Sequence, residues 1–164
     1  MNNILVINTG GTFNKLYDSI NGELLVDGSS NALNVISKNW LCEFEIVNII
    51  GKDSLEFDDN DRNIILQTIK NHTSNNKFII IHGTDTMHIT AEFLDLNIKD
   101  KYIVITGAMV PFSINTIEAT ANFASSAGYI NNIKEFGIYI CMNGLCGKYN
   151  NIIKNREIGK FIQK

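Results

Sequence analysis

The feature that most limits what this chain can fold into is a set of five short runs that are apolar nearly throughout: Ile4–Asn8, Phe44–Ile49, Phe78–His82, Tyr102–Thr106 and Gly137–Met142. A strand with one wet face alternates apolar and polar residues. A continuous apolar run suits a strand covered on both faces, the environment of a parallel sheet between two helical layers. The intervening stretches carry the helical period. Asn31–Leu41 places Leu33, Ile36 and Trp40 on one side, and Asp59–Asn71 places Ile64, Ile65 and Ile69 behind an acidic start that complements a helix N-terminus. Thr86–Leu96 and Asn115–Ile130 complete the set.

Parallel strands require crossover helices, so this alternation predicts an α/β fold: a doubly wound parallel sheet, flavodoxin-like, with about five main strands. The 164 residues suit one domain, residues 1–164, able to bury a core without metal or disulfides. Between Phe13 and Ser30 the pairs Asn21-Gly22 and Asp27-Gly28 bring turn chemistry without helical period, which predicts a small hairpin inside a long loop. Such a loop serves either as a functional lid or as a surface excursion.

A net charge of -3 with scattered Lys and Arg provides no basic field, so no nucleic acid partner is expected. No apolar run approaches the roughly 18 residues of a membrane span, and Met1–Ile7 lacks the charged start of a secretory signal, so a cytoplasmic address without membrane contact is expected. Cys42, Cys141 and Cys146 show no CxxC spacing and read as reduced bystanders. His72, His82 and His88 lack the i,i+4 pairing of a zinc helix, so no metal is expected; His82 reads as structural.

In open α/β sheets ligands bind beyond the carboxyl ends of the strands. Here every predicted strand exits into glycine: Thr9-Gly10-Gly11-Thr12, Gly51-Lys52-Asp53-Ser54, Gly83-Thr84-Asp85-Thr86, Gly107-Ala108-Met109 and Asn143-Gly144. Glycine lets backbone N–H groups approach a ligand, and with the adjacent hydroxyls this makes a nest for a carboxylate or an oxyanion. Turns after strands need glycine in any case, so the weight lies on the combination. Neither a Gly-x-Ser-x-Gly elbow nor a phosphate-binding Gly-Lys-Thr run is present. A threonine hydroxyl in these loops would act as a nucleophile only with a nearby base to take its proton, which an aspartate or lysine held close can supply or tune.

Thr9-Gly10-Gly11-Thr12 and His82-Gly83-Thr84-Asp85-Thr86-Met87 resemble the two signature motifs of bacterial-type L-asparaginases, and Thr106-Gly107-Ala108-Met109-Val110-Pro111 is similar to a third segment. The resemblance spans almost the whole chain but only the family's N-terminal domain; the C-terminal domain is absent. It implies an asparaginase-type amidohydrolase with no cofactor, acting on a small amino-acid substrate and releasing ammonia, and a homodimer or larger homo-oligomer.

By the same resemblance Thr12 is the nucleophile, and Thr84, Asp85 and a downstream lysine form a second catalytic cluster. Lys154 is the first choice for that lysine and Lys148 the second. Tyr17 matches the lid tyrosine that orients Thr12, while Ser54 and Asp85 bind the substrate's α-carboxylate and α-amino group. Gly11, Gly83 and Thr84 line the same pocket, with backbone N–H groups near Thr12 and Thr84 meeting the oxyanion. Leu55, Val110 and Ile117-Glu118-Ala119 depart from the family pattern. With the second domain missing, an amino-acid-binding module or subunit without turnover stays open as the alternative, and asparagine is not separated from glutamine. Each assignment also has a structural reading; Asp85, for example, could simply cap the helix that follows it.

Overall fold

The computed structural model describes residues 3–164. In chain order the elements are β1 (Ile4–Gly10), β2 (Lys15–Asp18), β3 (Glu23–Val26), α1 (Asn31–Asn39), β4 (Glu45–Lys52), α2 (Asp59–Asn71), β5 (Lys77–Ile81), α3 (Met87–Asn97), β6 (Tyr102–Thr106), α4 (Thr116–Ile130), β7 (Gly137–Met142), β8 (Leu145–Lys148), β9 (Ile152–Asn155) and β10 (Lys160–Gln163). The central sheet runs β4-β1-β5-β6-β7-β8. Its first five strands are parallel, in the expected doubly wound order.

The continuous apolar runs have the predicted cause. Along β5, Phe78 and Ile80 pack with Ile65, Ile69 and Leu94 from α2 and α3. Ile79 and Ile81 point the other way and pack with Leu33, Ile36 and Phe123 from α1 and α4. Each residue of the run is therefore a core residue of one face or the other. Helix α2 begins with a capping box in which Asp58 and Asp61 satisfy each other's backbone N–H, a local reason for its sharp start.

Outside the parallel strands, one part of the chain follows the sequence reading and one departs from it. The predicted hairpin is present as β2 and β3, antiparallel, with Tyr17 opposite Leu24. After β7, however, the chain does not simply leave the sheet: β8 turns back and adds a sixth, antiparallel strand. Asn143 and Gly144 both have positive φ, 52° and 81°, the geometry of a two-residue hairpin turn. The turn sets Cys146 opposite Cys141, and the two sulfurs are bonded, which corrects the reading of these cysteines as reduced bystanders. Cys42 is free.

From β8 the chain passes into the separate hairpin β9–β10. Ile152 and Phe161 plug this hairpin into the same core that holds Met87 and Leu94. It is thereby seated across the carboxyl end of the sheet.

Candidate active site

The strand order reverses between β1 and β5, so the loops leaving these two neighbours flank the topological switch point, where open α/β sheets bind ligands. The loop after β1 turns through Gly10 and Gly11, with φ of 108° and 72°. A Cβ at Gly11 would sit 2.6 Å from the backbone of Gly83, so only glycine permits the two signature loops to touch. Thr9 ties the strands beneath them, its hydroxyl donating to the Ile81 carbonyl at 2.7 Å.

Thr12, half-buried, opens a short 3-10 turn, Thr12–Asn14, directly after this contact. The turn is held from below. Phe13 is fully buried, and the Asn14 amide donates to Asn8 Oδ1 at 2.8 Å and to the Gly10 carbonyl at 2.9 Å. Asn8 continues the network to Asn48, which also accepts from the Ser30 hydroxyl at 2.6 Å. Sequence reasoning passed over these asparagines, although a polar residue within the apolar run of β1 was a signal.

After β5, Thr84 is buried and Asp85 partly so, and the β9 lysine reaches them both. Lys154 Nζ donates to Thr84 Oγ1 at 2.8 Å and to Asp85 Oδ1 at 2.9 Å. The lysine side chain is 16% exposed, so this hydrogen-bonded ion pair is largely removed from water. Lys148 lies elsewhere, paired with Glu135 at 2.9 Å on the outer edge of β8. Asp85 does not cap α3; Thr86 precedes the helix and its hydroxyl donates instead to the Ser54 carbonyl at 2.7 Å.

Ser54 starts a second 3-10 turn, Ser54–Glu56, packed against Gly83 so closely that a Cβ on the glycine would come within 2.6 Å of Ser54 Cβ. Its hydroxyl is buried, at 1% residue exposure, and has no hydrogen-bond partner among the described residues. A buried hydroxyl in that state calls for a partner, and a bound ligand is one group that supplies it. Beside it, Asp53 binds Lys15 at 2.7 Å. Burial pushes the Asp53 carboxyl up, but the hydrogen bonds from Lys15 and the Leu55 N–H outweigh it and hold the group below the ordinary carboxylate range.

His82 is structural in this geometry. Its Nδ1 donates to the Gly83 carbonyl at 2.8 Å, its Nε2 accepts from the Thr90 hydroxyl at 2.9 Å, and its ring packs edge-on to Phe57. Complete burial lowers its pKa from 6.5 to about 4, overriding the opposite effect of the Gly83 carbonyl, so the ring is neutral near pH 7.

Tyr17 is not brought to this cluster. It is 63% exposed and lines a shallow groove along the β2–β3 hairpin with Leu25 and Asp27. Three further residues hold contacts here that the sequence reading did not assign to them. Glu118 accepts from the backbone N–H of Met109 at 3.0 Å and of Val110 at 2.9 Å, pinning the loop after β6. Asn122 donates to the Gly107 carbonyl at 3.0 Å. Arg156 lies 3.4 Å from the same Asp85 oxygen that Lys154 holds. Among the described residues no cluster of His, Cys, Asp or Glu is arranged to hold a metal ion, and no helix is long and apolar enough to cross a membrane.

Fold and loops together define an α/β protein with a cluster of polar side chains at its switch point. The chain belongs to the asparaginase family: the model of the asparaginase N-terminal domain matches residues 3–160. It is 30% identical to a probable periplasmic L-asparaginase of Haemophilus influenzae over 96% of this chain and 46% of that protein. To L-asparaginase 2 of Escherichia coli it is 35% identical over 66% of this chain and 33% of that protein. Two solved structures share the fold. The thermostable L-asparaginase from Thermococcus kodakarensis superposes with a TM-score of 0.84 at 21% identity, over 98% of this chain and 50% of that one. A probable cytoplasmic L-asparaginase from Campylobacter jejuni gives 0.81 at 24%, over 99% and 53%. The chain thus spans half or less of the length of the curated relatives it matches.

Proposed function

We propose that the chain is an asparaginase-type amidohydrolase that cleaves the side-chain amide of L-asparagine or a close relative to the carboxylate and ammonia, with Thr12 as nucleophile. The observation that supports this best is the hydrogen-bonded Thr84–Lys154–Asp85 cluster at the switch point, beside the unpartnered Ser54 hydroxyl. In this reading Thr12 Oγ1 attacks the amide carbon, its proton passes toward the departing nitrogen, and water then cleaves the ester to regenerate the threonine. Because Lys154 donates to Thr84 Oγ1, the Thr84 hydroxyl proton is free to point at the leaving nitrogen and relay the one proton that Thr12 gives up, taking one and passing one on, and Asp85 keeps the lysine in place. Backbone N–H groups near Thr12 and Thr84 stabilise the oxyanion. Ser54 receives the substrate carboxylate, Gly11 and Gly83 line its pocket, and Tyr17 acts from the hairpin once that element closes over the substrate.

A cytoplasmic address and a homodimer or larger assembly belong to the same proposal; fractionation and a sizing column test them. The second reading is an amino-acid-binding module without turnover, for which the same polar cluster beside Ser54 would hold the ligand. Ammonia release from asparagine and glutamine separates the two. The native chain should release ammonia, and Thr12→Ala and Thr84→Ala should each lower the rate by about a thousandfold or more. A silent native chain that still binds an amino acid by calorimetry would replace the hydrolase with the binding module.

A further inference from the structure

We propose that Asn14 is a positioning residue for the nucleophile: its carboxamide, bonded through Asn8, closes the loop that carries Thr12 and so governs the rate of attack without holding substrate. The proposal rests on the reading of Thr12 as nucleophile.

The loop from Gly10 to Asn14 has little stiffness of its own. Gly10 and Gly11, directly before Thr12, adopt positive φ and bring no side chain to pack. Its two ends are instead drawn to one atom. Asn8 Oδ1 accepts from Asn14 Nδ2 at 2.8 Å and from the Gly10 N–H at 3.4 Å, and the second N–H of the Asn14 amide donates to the Gly10 carbonyl at 2.9 Å. Asn8, fully buried in the sheet, is held in turn: its Nδ2 donates to the Ser29 carbonyl at 3.1 Å and to Asn48 Oδ1 at 2.9 Å. The relay thus runs from β4, at the sheet edge, through β1 to the turn that carries Thr12.

The orientation of the Asn14 amide is fixed by its neighbours, because the Gly10 carbonyl can only accept. That leaves Asn14 Oδ1 buried and without a partner among the described residues. An unpaired buried acceptor costs stability, so the side chain is poorly chosen for stability alone, and what it contributes lies in its two N–H groups. Both of them are spent on the loop itself, and neither reaches Ser54, Gly83, Thr84 or Asp85, the groups assigned to substrate. Loosening the Thr12 turn should therefore cost attack geometry rather than affinity.

The test is steady-state ammonia release from L-asparagine, with kcat expressed per folded chain from circular dichroism. Asn14→Ala should lower kcat by at least about tenfold and leave KM within about twofold, the pattern of a group that acts only in the transition state. A side chain that merely supported the fold would change the folded fraction and not this kcat. Asn14→Ser, which returns one donor, should recover about threefold of the loss. Asn48→Ala acts at the exposed end of the relay, should lower kcat by about twofold, and decides the matter if the buried variants fail to fold. Hydrogen exchange follows the turn directly. The Lys15 N–H, bonded to the Thr12 carbonyl, and the Asp27 N–H, bonded to the Asn14 carbonyl, should exchange about tenfold faster in Asn14→Ala. Native kcat in Asn14→Ala or Asn48→Ala, a rise in KM as large as the fall in kcat, or equal kcat in the alanine and serine variants would overturn the inference. A native chain that releases no ammonia removes the hydrolase reading; the exchange rates then decide whether Asn14 holds the turn, and unchanged rates would refute it.

Discussion

The loops that carry Ser54, Gly83 and Thr84 and the hairpin that carries Tyr17 border the same end of the sheet, yet they are held in opposite ways. The loops interlock through buried contacts: Gly11 on Gly83, Gly83 on Ser54, Thr86 bonded to Ser54, and His82 bonded beneath Gly83. The hairpin is fastened at its base by the Lys15–Asp53 pair and by the Ser113 hydroxyl on the Lys15 carbonyl, and beyond that it exposes Leu16, Tyr17, Ile20, Leu24 and Leu25. The floor of the site is thus shaped by packing, and its cover by a few polar contacts. Elements with few buried contacts open at low cost, so substitutions in the two regions should be felt in different measurements.

The largest expected difference concerns His82. In the folded chain it binds a proton only near pH 4, whereas unfolded histidine does so near 6.5, so unfolding takes up a proton between those values. Its contribution is intact above pH 6.5 and is lost as pH falls toward 4, a change of about 3 kcal/mol. His88, also lowered but more exposed, adds in the same direction. Asp53 and Asp61, held below the ordinary carboxylate range, lose theirs only at lower pH. Urea midpoints measured from pH 7 to 4 should fall accordingly, and a flat profile would remove His82 from the floor's support.

Next comes Gly83→Ala. The added methyl would meet Ser54 Cβ at 2.6 Å and Ser54 N at 3.0 Å, so the Ser54 turn must shift. Overpacking of this kind costs about 1–3 kcal/mol. Chemical denaturation should show the loss, and an unchanged midpoint would mean that the loops are not interlocked. The smallest stability effect is expected for Tyr17→Ala, within about 0.5 kcal/mol because the ring is exposed. Its turnover should nevertheless fall by about tenfold if the hairpin closes over substrate. A stability loss matching that of Gly83→Ala would erase the distinction between floor and cover.

The sheet was legible because Ile79, Ile80 and Ile81 are each buried by a different layer than their neighbour, and nothing polar interrupts the run. The sixth strand was not, since Leu145–Lys148 is short and carries glycine and lysine instead of an apolar run. Asn143-Gly144 was nonetheless a hairpin signal, read only as another strand exit. Thr84 and Asp85 stood out as part of a dense local motif. Their partner lies 70 residues from Thr84, and nothing local separates Lys154 from Lys148; the core anchors Ile152 and Phe161 make the difference. Arg156 and Glu118 carried no signal as single letters, because each acquires its contacts only through tertiary structure.

The same separation bears on how the site comes into being. Every loop of the floor belongs to strands that can pair once β6 has been synthesised, but the cluster waits for β9 to be laid across them. Contacts between residues so far apart in the chain form slowly, because loop closure must come first. On the ribosome the growing chain would carry all of its signature motifs before Lys154 arrives to join Thr84 and Asp85.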